Sequence, residues 1–317
     1  MKSSQCDNLT AVTEFVLSGL SDLPEHQIGL FVLFLGIYLT TLVGNGIIIS
    51  VTALDTKLHT PMYYFLRNFS FVDVCFTSTT VPKMLANLLS TRKMISYQGC
   101  ITQLFFFLFI GNTESFLLAV MAYDRYVAIC HPLHYSTTMT KTVCAVAVVA
   151  SWVLSSMHSL LYSVMASYLP FYGSNIIHHF FCDVPPLLRL SCSDTSTYER
   201  VIFIEGSLVV MTTFLAILSS YIRIISTILK VPSVDGRWKT FSTCSSHLAV
   251  VVLFYGTDIF MYFRPSSMYS LDYDRVVSVM YTAVSPMLNP FIYSLRNKEV
   301  KGALRNVLTS KCFEFKI

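Results

Sequence analysis

Met121-Ala-Tyr-Asp-Arg-Tyr-Val-Ala-Ile-Cys-His-Pro-Leu-His-Tyr135 is the stretch on which the fold turns. It closes an apolar run, residues 101–121, with the adjacent charges of Asp124 and Arg125. Charged side chains are costly inside a bilayer, so this pair belongs where a helix meets water. Cys100 lies 25 residues before Arg125. At about 1.5 Å per residue that is roughly 38 Å of helix, enough to cross the hydrocarbon and reach both headgroup regions. A thiol at one face and an acid–base pair at the other describe an element that receives on one side and reports on the other.

Working outward, the whole chain has the composition that such an element requires. Of its 317 residues 54% are hydrophobic and only 13% charged, with a mean hydropathy of +0.59. Soluble domains carry about 25% charged residues, so the leading class is a polytopic membrane protein. The net charge of +4 comes from scattered basic residues without a long basic run, which excludes a nucleic-acid footprint. Residues 1–27 hold no apolar core of signal-peptide length, so the first span is expected to act as the insertion signal.

Seven apolar segments reach spanning length, at about 28–53, 61–88, 98–125, 141–165, 199–226, 240–263 and 274–295. This predicts an all-α, seven-helix bundle with three parts. Residues 1–27 form an outer N-terminal segment, 28–295 the bundle, and 296–317 an inner amphipathic helix and tail. The second span is the least clean, because Arg67, Asp73, Pro82 and Lys83 interrupt it. Arg67 and Lys83 are near its ends and can snorkel; Asp73 cannot. An outside N-terminus puts 14 of the 22 Lys and Arg on the inner face or its turns and leaves 8 outside, the positive-inside arrangement. The expected location is therefore a cell membrane crossed several times, with the N-terminus out and the C-terminus in. Asn8-Leu9-Thr10 is a glycosylation acceptor on that outer side. The longest connection, about 166–199, is outside and is expected to lid the outer mouth. No inverted halves are visible, which argues against a secondary transporter.

Four longer motifs sharpen this reading. They are Leu58-His-Thr-Pro-Met-Tyr-Tyr-Phe-Leu66, Met121–Cys130, Lys239-Thr-Phe-Ser-Thr-Cys-Ser-Ser-His-Leu248 and Pro286-Met-Leu-Asn-Pro-Phe-Ile-Tyr-Ser-Leu-Arg-Asn297. In that order they resemble the odorant receptors of the tetrapod type, within the rhodopsin-like G-protein-coupled receptors. The resemblance implies a non-enzymatic receptor that binds a small volatile molecule inside the bundle. It further implies engagement of an olfactory stimulatory G protein that raises cyclic AMP.

The resemblance also distributes roles among residues. Asp124 would restrain Arg125, and Tyr126, Tyr221 and Tyr293 would complete the switch and coupling surface; a plain topological anchor would carry the same Asp-Arg pair. Asp73 and Glu114 are carboxyls within spans, and Glu114 lies 11 residues, about 16 Å, outward of Arg125. With Asn45 and Asn289 they match a sodium-like ion site, and no cofactor beyond that ion is implied; a hydrogen-bonded polar cluster joining helices is the alternative. Depth along the helices places Phe107, Leu108, Gly111, Asn112, Glu205, Val209, Tyr255, Asp258, Tyr262, Tyr281 and Thr282 at the level of a ligand pocket, with helix rotation left open. Glu205 and Asp258 suit an amine or another hydrogen-bonding odorant.

Of nine cysteines, Cys6, Cys100, Cys182 and Cys192 fall outside, where pairing is expected. Cys100–Cys182 matches the family's link between third span and long loop. A second loop bridge is usual, but Tyr172 stands at its first position, so Cys6–Cys192 is the pairing left to consider. His179 and Cys182 have metal-ligand chemistry, yet a Cys182 disulfide would occupy the sulfur. Among other classes, a channel or transporter predicts flux without G protein. A membrane enzyme lacks an activated nucleophile beside the Asp73–Glu114 pair.

Overall fold

Prolines and hydroxyl side chains divide the apolar chain into long helices. The computed structural model describes residues 12–20, 24–262, 271–296 and 299–305; the side chains of Pro24, Lys239, Thr243, Tyr262, Leu271, Asp272, Leu295 and Arg296 lie outside that description. The helices are α1 (Pro24–Leu54), α2 (Pro61–Leu88), α3 (Tyr97–Cys130), α4 (Tyr135–Thr138), α5 (Lys141–Ser167), α6 (Val184–Leu190), α7 (Ser196–Leu229), α8 (Val234–Tyr262), α9 (Leu271–Val279) and α10 (Ser285–Arg296). A π-helical turn, Met280–Val284, joins α9 to α10 into one seventh span. Pro61 starts α2, where its missing N–H costs nothing. Ser96 caps α3 by accepting the Gly99 N–H at 3.1 Å, and Thr140 caps α5 by accepting that of Val143 at 3.3 Å.

The seven expected spans are α1, α2, α3, α5, α7, α8 and α9–α10. Six of them are apolar enough to cross a bilayer by length and composition; α2, with Arg67, Asp73 and Lys83, is the exception. Large side chains such as Val32, Val149, Met157, Leu208 and Leu215 stay exposed on outward faces, the arrangement of a protein solvated by lipid. Arg67 does not snorkel. Its guanidinium bonds the carbonyl and hydroxyl of Thr52, satisfying the last turn of α1.

α3 is the hub, packed against α2, α5, α7 and α8. It continues past Arg125 to Cys130, so the Asp-Arg pair lies more than a turn inside the helix rather than at its end. At the opposite side of the bundle α1 meets α10 closely. A Cβ on Gly44 would come within 3.1 Å of Pro290 Cβ, which requires glycine's small size there.

The fold is helical but not wholly so. A three-stranded sheet, order β2-β1-β3, closes the outer end: β1 (Glu14–Leu17) lies between β2 (Met94–Ser96), antiparallel, and β3 (Ile176–Ile177), parallel. Phe15 and Leu17 point inward and are fully buried, joining Ile95, Leu104, Phe171 and Leu187 in a second core above the bundle. The Arg275 guanidinium donates to Ser18 Oγ at 2.9 Å and ties this strand's end to α9. Cys6, Asn8 and the tail after residue 305 lie outside the described residues. Within the expected inner helix, residues 299–305 are helical, with Val300 and Ala303 buried and Lys301 exposed.

Candidate functional site

A disulfide pins the lid over one end of the bundle. Cys100 at the start of α3 and Cys182 form a disulfide, Cα–Cα 5.5 Å, across a separation of 82 residues. The Cys182 N–H donates to Gln103 Oε1 at 3.0 Å, and Gln103 Nε2 donates to the Thr79 carbonyl at 2.9 Å, so one side chain joins lid, α3 and α2. Phe181 then packs on Phe107, ring centroids 4.8 Å apart. Asp183 caps α6 by accepting the Val184 N–H at 2.7 Å. Cys192 is a free thiol 3.4 Å from the Tyr172 carbonyl.

His179 is wedged between Phe180 and Phe181, at 4.8 and 4.6 Å, with Nε2 3.1 Å from Ser278 Oγ of α9. Burial, and secondarily the positive charge of Arg275, push its pKa down to about 3. The folded lid therefore holds a neutral imidazole, whereas an unfolded chain takes up a proton near pH 6.5. Stability is complete above that value and is lost progressively as pH falls from 6.5 toward 3, by about 1.4 kcal/mol one unit below 6.5. Thermal unfolding of the solubilised protein at pH 7.5 and 5.5 checks this. His179→Gln is expected to narrow the pH difference, and an unchanged difference would rule the assignment out.

Beneath the lid is a cavity of about 790 Å³. Phe107, Leu108, Gly111 and Asn112 of α3, Asp258 of α8 and Tyr281 of the seventh span line it, as their depth predicts. Glu205, Val209, Tyr255 and Thr282, at the same depth, do not. Glu205 turns to His158 of α5, Oε1 to Nδ1 2.8 Å, while Gly206, Ser207 and Val210 face the cavity instead. Tyr255 lies behind the wall, and Thr282 donates to the Ser278 carbonyl. The Tyr262 side chain is outside the described residues. Depth alone missed His158, Tyr162, Phe203, Phe254 and the α6 residues Leu188 and Arg189.

Glu114 forms part of the cavity lining. Its carboxyl and that of Asp73 on α2 are near enough for their charges to interact. Asn289 Nδ2 donates to both Asp73 oxygens, at 2.9 and 3.2 Å. Asn45 does not join them directly; its Nδ2 donates to the Thr41 and Pro286 carbonyls, both at 3.1 Å, bracing α1 against α10. The buried Oδ1 atoms of Asn45 and Asn289 have no hydrogen-bond partner among the described residues. The carboxyls and the two unpartnered amide oxygens are all oxygen donors, the type that suits a hard cation such as sodium.

Two stitches hold α3, α7 and α8 together. Ser115, on the cavity wall, contacts Thr213 Oγ1 at 2.9 Å and Tyr255 OH at 3.1 Å. One turn inward, His247 of α8 is fully buried, with Nε2 3.1 Å from the Leu118 carbonyl and Nδ1 2.8 Å from Tyr221 OH. A carbonyl only accepts, so Nε2 carries the hydrogen and Nδ1 accepts from the Tyr221 hydroxyl. His247 was visible in the third motif, but nothing in its spacing showed that it bridges three helices.

The inner cluster surrounds Arg125. Its guanidinium lies within reach of the Cys244 thiol and acts electrostatically on Tyr221, His247 and Tyr293. The Tyr293 hydroxyl is buried without a hydrogen-bond partner among the described residues. Asp124 accepts a 2.8 Å hydrogen bond from Tyr135 of α4, a partner that hydropathy could not suggest. Tyr126 faces α7, where Arg223 donates to its hydroxyl at 3.3 Å and lies over its ring.

Comparison with known proteins fits this arrangement. The family model for the olfactory receptor matches residues 34–311. The rat protein "Olfactory receptor 1f45" is 56% identical over 304 residues, 96% of this chain and 97% of its own. The human "Olfactory receptor 1F1" is 55% identical over 301 residues, covering 95% and 96%. The mouse "Olfactory receptor 1E16" is 54% identical over 304 residues, 96% and 97%.

Proposed function

The chain belongs to the olfactory receptor family, and from that premise we propose that it is an odorant receptor. A small molecule enters the outer cavity, and the inner end then engages an olfactory stimulatory G protein that raises cyclic AMP. The observation that carries this reading is the pair of stitches on one helix. Ser115 belongs to the cavity and to the outer stitch; Leu118, three residues on, belongs to the inner stitch beside Arg125. A ligand that presses on the Ser115–Tyr255 contact shifts α8 against α3 and loads the His247–Leu118 bond. Its release lets α8 move outward and frees Arg125 and Tyr221 for Tyr293 and for the G protein, a two-state element of the kind signalling requires. The test is a cyclic AMP reporter in cells carrying the olfactory G protein, screened with a broad odorant panel. A receptor present at the surface that answers no odorant would sink the reading.

The orientation follows the basic asymmetry: residues 1–27 outside, the bundle 28–295 in the plasma membrane, and 296–317 in the cytoplasm. A sodium ion would be held by Asp73 and Glu114 with the Asn45 and Asn289 oxygens, offsetting two adjoining carboxylates. Sodium is then expected to lower basal signalling, and Glu114→Gln to remove that sensitivity. Equal basal cyclic AMP in sodium and in choline medium would leave the cluster as helix glue.

A further inference from the structure

The cavity has a charge imbalance at one named atom. Asp258 of α8 lines the cavity, and no described residue gives it a hydrogen bond or an ion pair; its Oδ2 is fully buried. That oxygen has lost water without gaining a partner, a condition that an incoming cation relieves. No basic residue of the lining pairs with Asp258 among the described residues. Glu114 and Glu199 add acid to the wall, and Asp183 adds negative potential at Asp258 from the base of the lid. Arg189 and His158 are the basic residues of the lining, and Glu205 already occupies His158 Nδ1 from behind.

We infer that the receptor selects small amines, with the protonated nitrogen seated on Asp258 and an apolar body of modest size in the cavity. This rests on the odorant-receptor reading and names its ligand class. A protonated amine brings both the missing charge and several N–H donors to an acceptor-only carboxylate. The aromatic walls suit the same ligand. Phe107, Phe254 and Tyr281 line the cavity, with the Phe107 and Tyr281 rings 5.8 Å apart, and ring faces attract a cation. Leu108, Phe203 and Val210 offer apolar surface to the carbon skeleton. A ketone or aldehyde carries only acceptors and meets like polarity at the carboxylate. An alcohol offers one donor and no charge.

The experiment uses the full-length receptor at the cell surface and a cyclic AMP reporter. The probes are four- to eight-carbon linear and cyclic amines, each paired with its alcohol and ketone of the same skeleton. The amine of the best skeleton is expected to be more potent than its neutral partners by about 100-fold, the worth of a desolvated charge pair. Asp258→Asn is expected to raise its half-effective concentration by a similar factor, while responses to neutral partners stay within about threefold. Asp258→Glu should recover part of the potency. Neutral partners as potent as the amine, or an amine response indifferent to Asp258→Asn, would overturn the inference and leave the odorant reading intact. Silence toward every probe and every member of a broader odorant panel would overturn both. Should Asp258→Asn fail to reach the surface, the comparison of amine with alcohol and ketone on the unsubstituted receptor decides alone.

Discussion

Arg125→Ala is expected to reach the cell surface normally and to raise no cyclic AMP with a ligand that activates the unsubstituted chain. The side chain is 7% exposed, beside the Cys244 thiol and within electrostatic reach of Asp124, Tyr221 and Tyr293. When the guanidinium is removed, Asp124 keeps its hydrogen bond from Tyr135. Folding should therefore survive, while the group that exchanges partners between states is gone. The response should fall by at least about fivefold, the lower end of an allosteric coupling of about 1–3 kcal/mol. Surface staining beside a concentration–response curve measures both parts. Full signalling by the variant would reduce the Asp-Arg pair to a topological anchor.

Cys182→Ser is expected to do the opposite, removing the receptor from the surface rather than silencing it there. Closing a loop across 82 residues restricts the unfolded chain by about 4–5 kcal/mol in the chain-entropy account. The bond also positions the Cys182 N–H on Gln103 and Phe181 on Phe107. Losses of this size rival the whole stability of a typical domain. Cys100→Ser should give the same defect, and the double variant should be no worse than either single one. A double variant markedly worse than both would show that the sulfurs act separately.

Hydropathy made the depth of each residue legible and left rotation hidden. The seven spans, the level of the cavity and the long outer loop follow from where apolar runs begin and end. Rotation does not, since lipid and bundle interior are both apolar and a span needs no polar face. The fifth span shows the consequence. Glu205 and Val209 have the expected depth, yet their neighbours Gly206 and Val210 line the cavity, about 100° around the helix. The strand Glu14–Leu17 was missed for another reason: four residues, buried at alternate positions, are too short to stand out from an apolar chain. Tyr135 and His158 act across helices, and contacts of that kind leave no spacing to read. The Cys100–Cys182 bond was legible through resemblance to the family, since four outer cysteines allow several pairings.

The most direct test of the account is nucleotide exchange on purified olfactory stimulatory G protein, driven by the receptor in lipid nanodiscs. The account predicts exchange that rises with odorant and stays at the basal rate for Arg125→Ala, although that variant still binds the odorant. An odorant that binds the cavity without accelerating exchange, or one that drives solute flux instead, would contradict it.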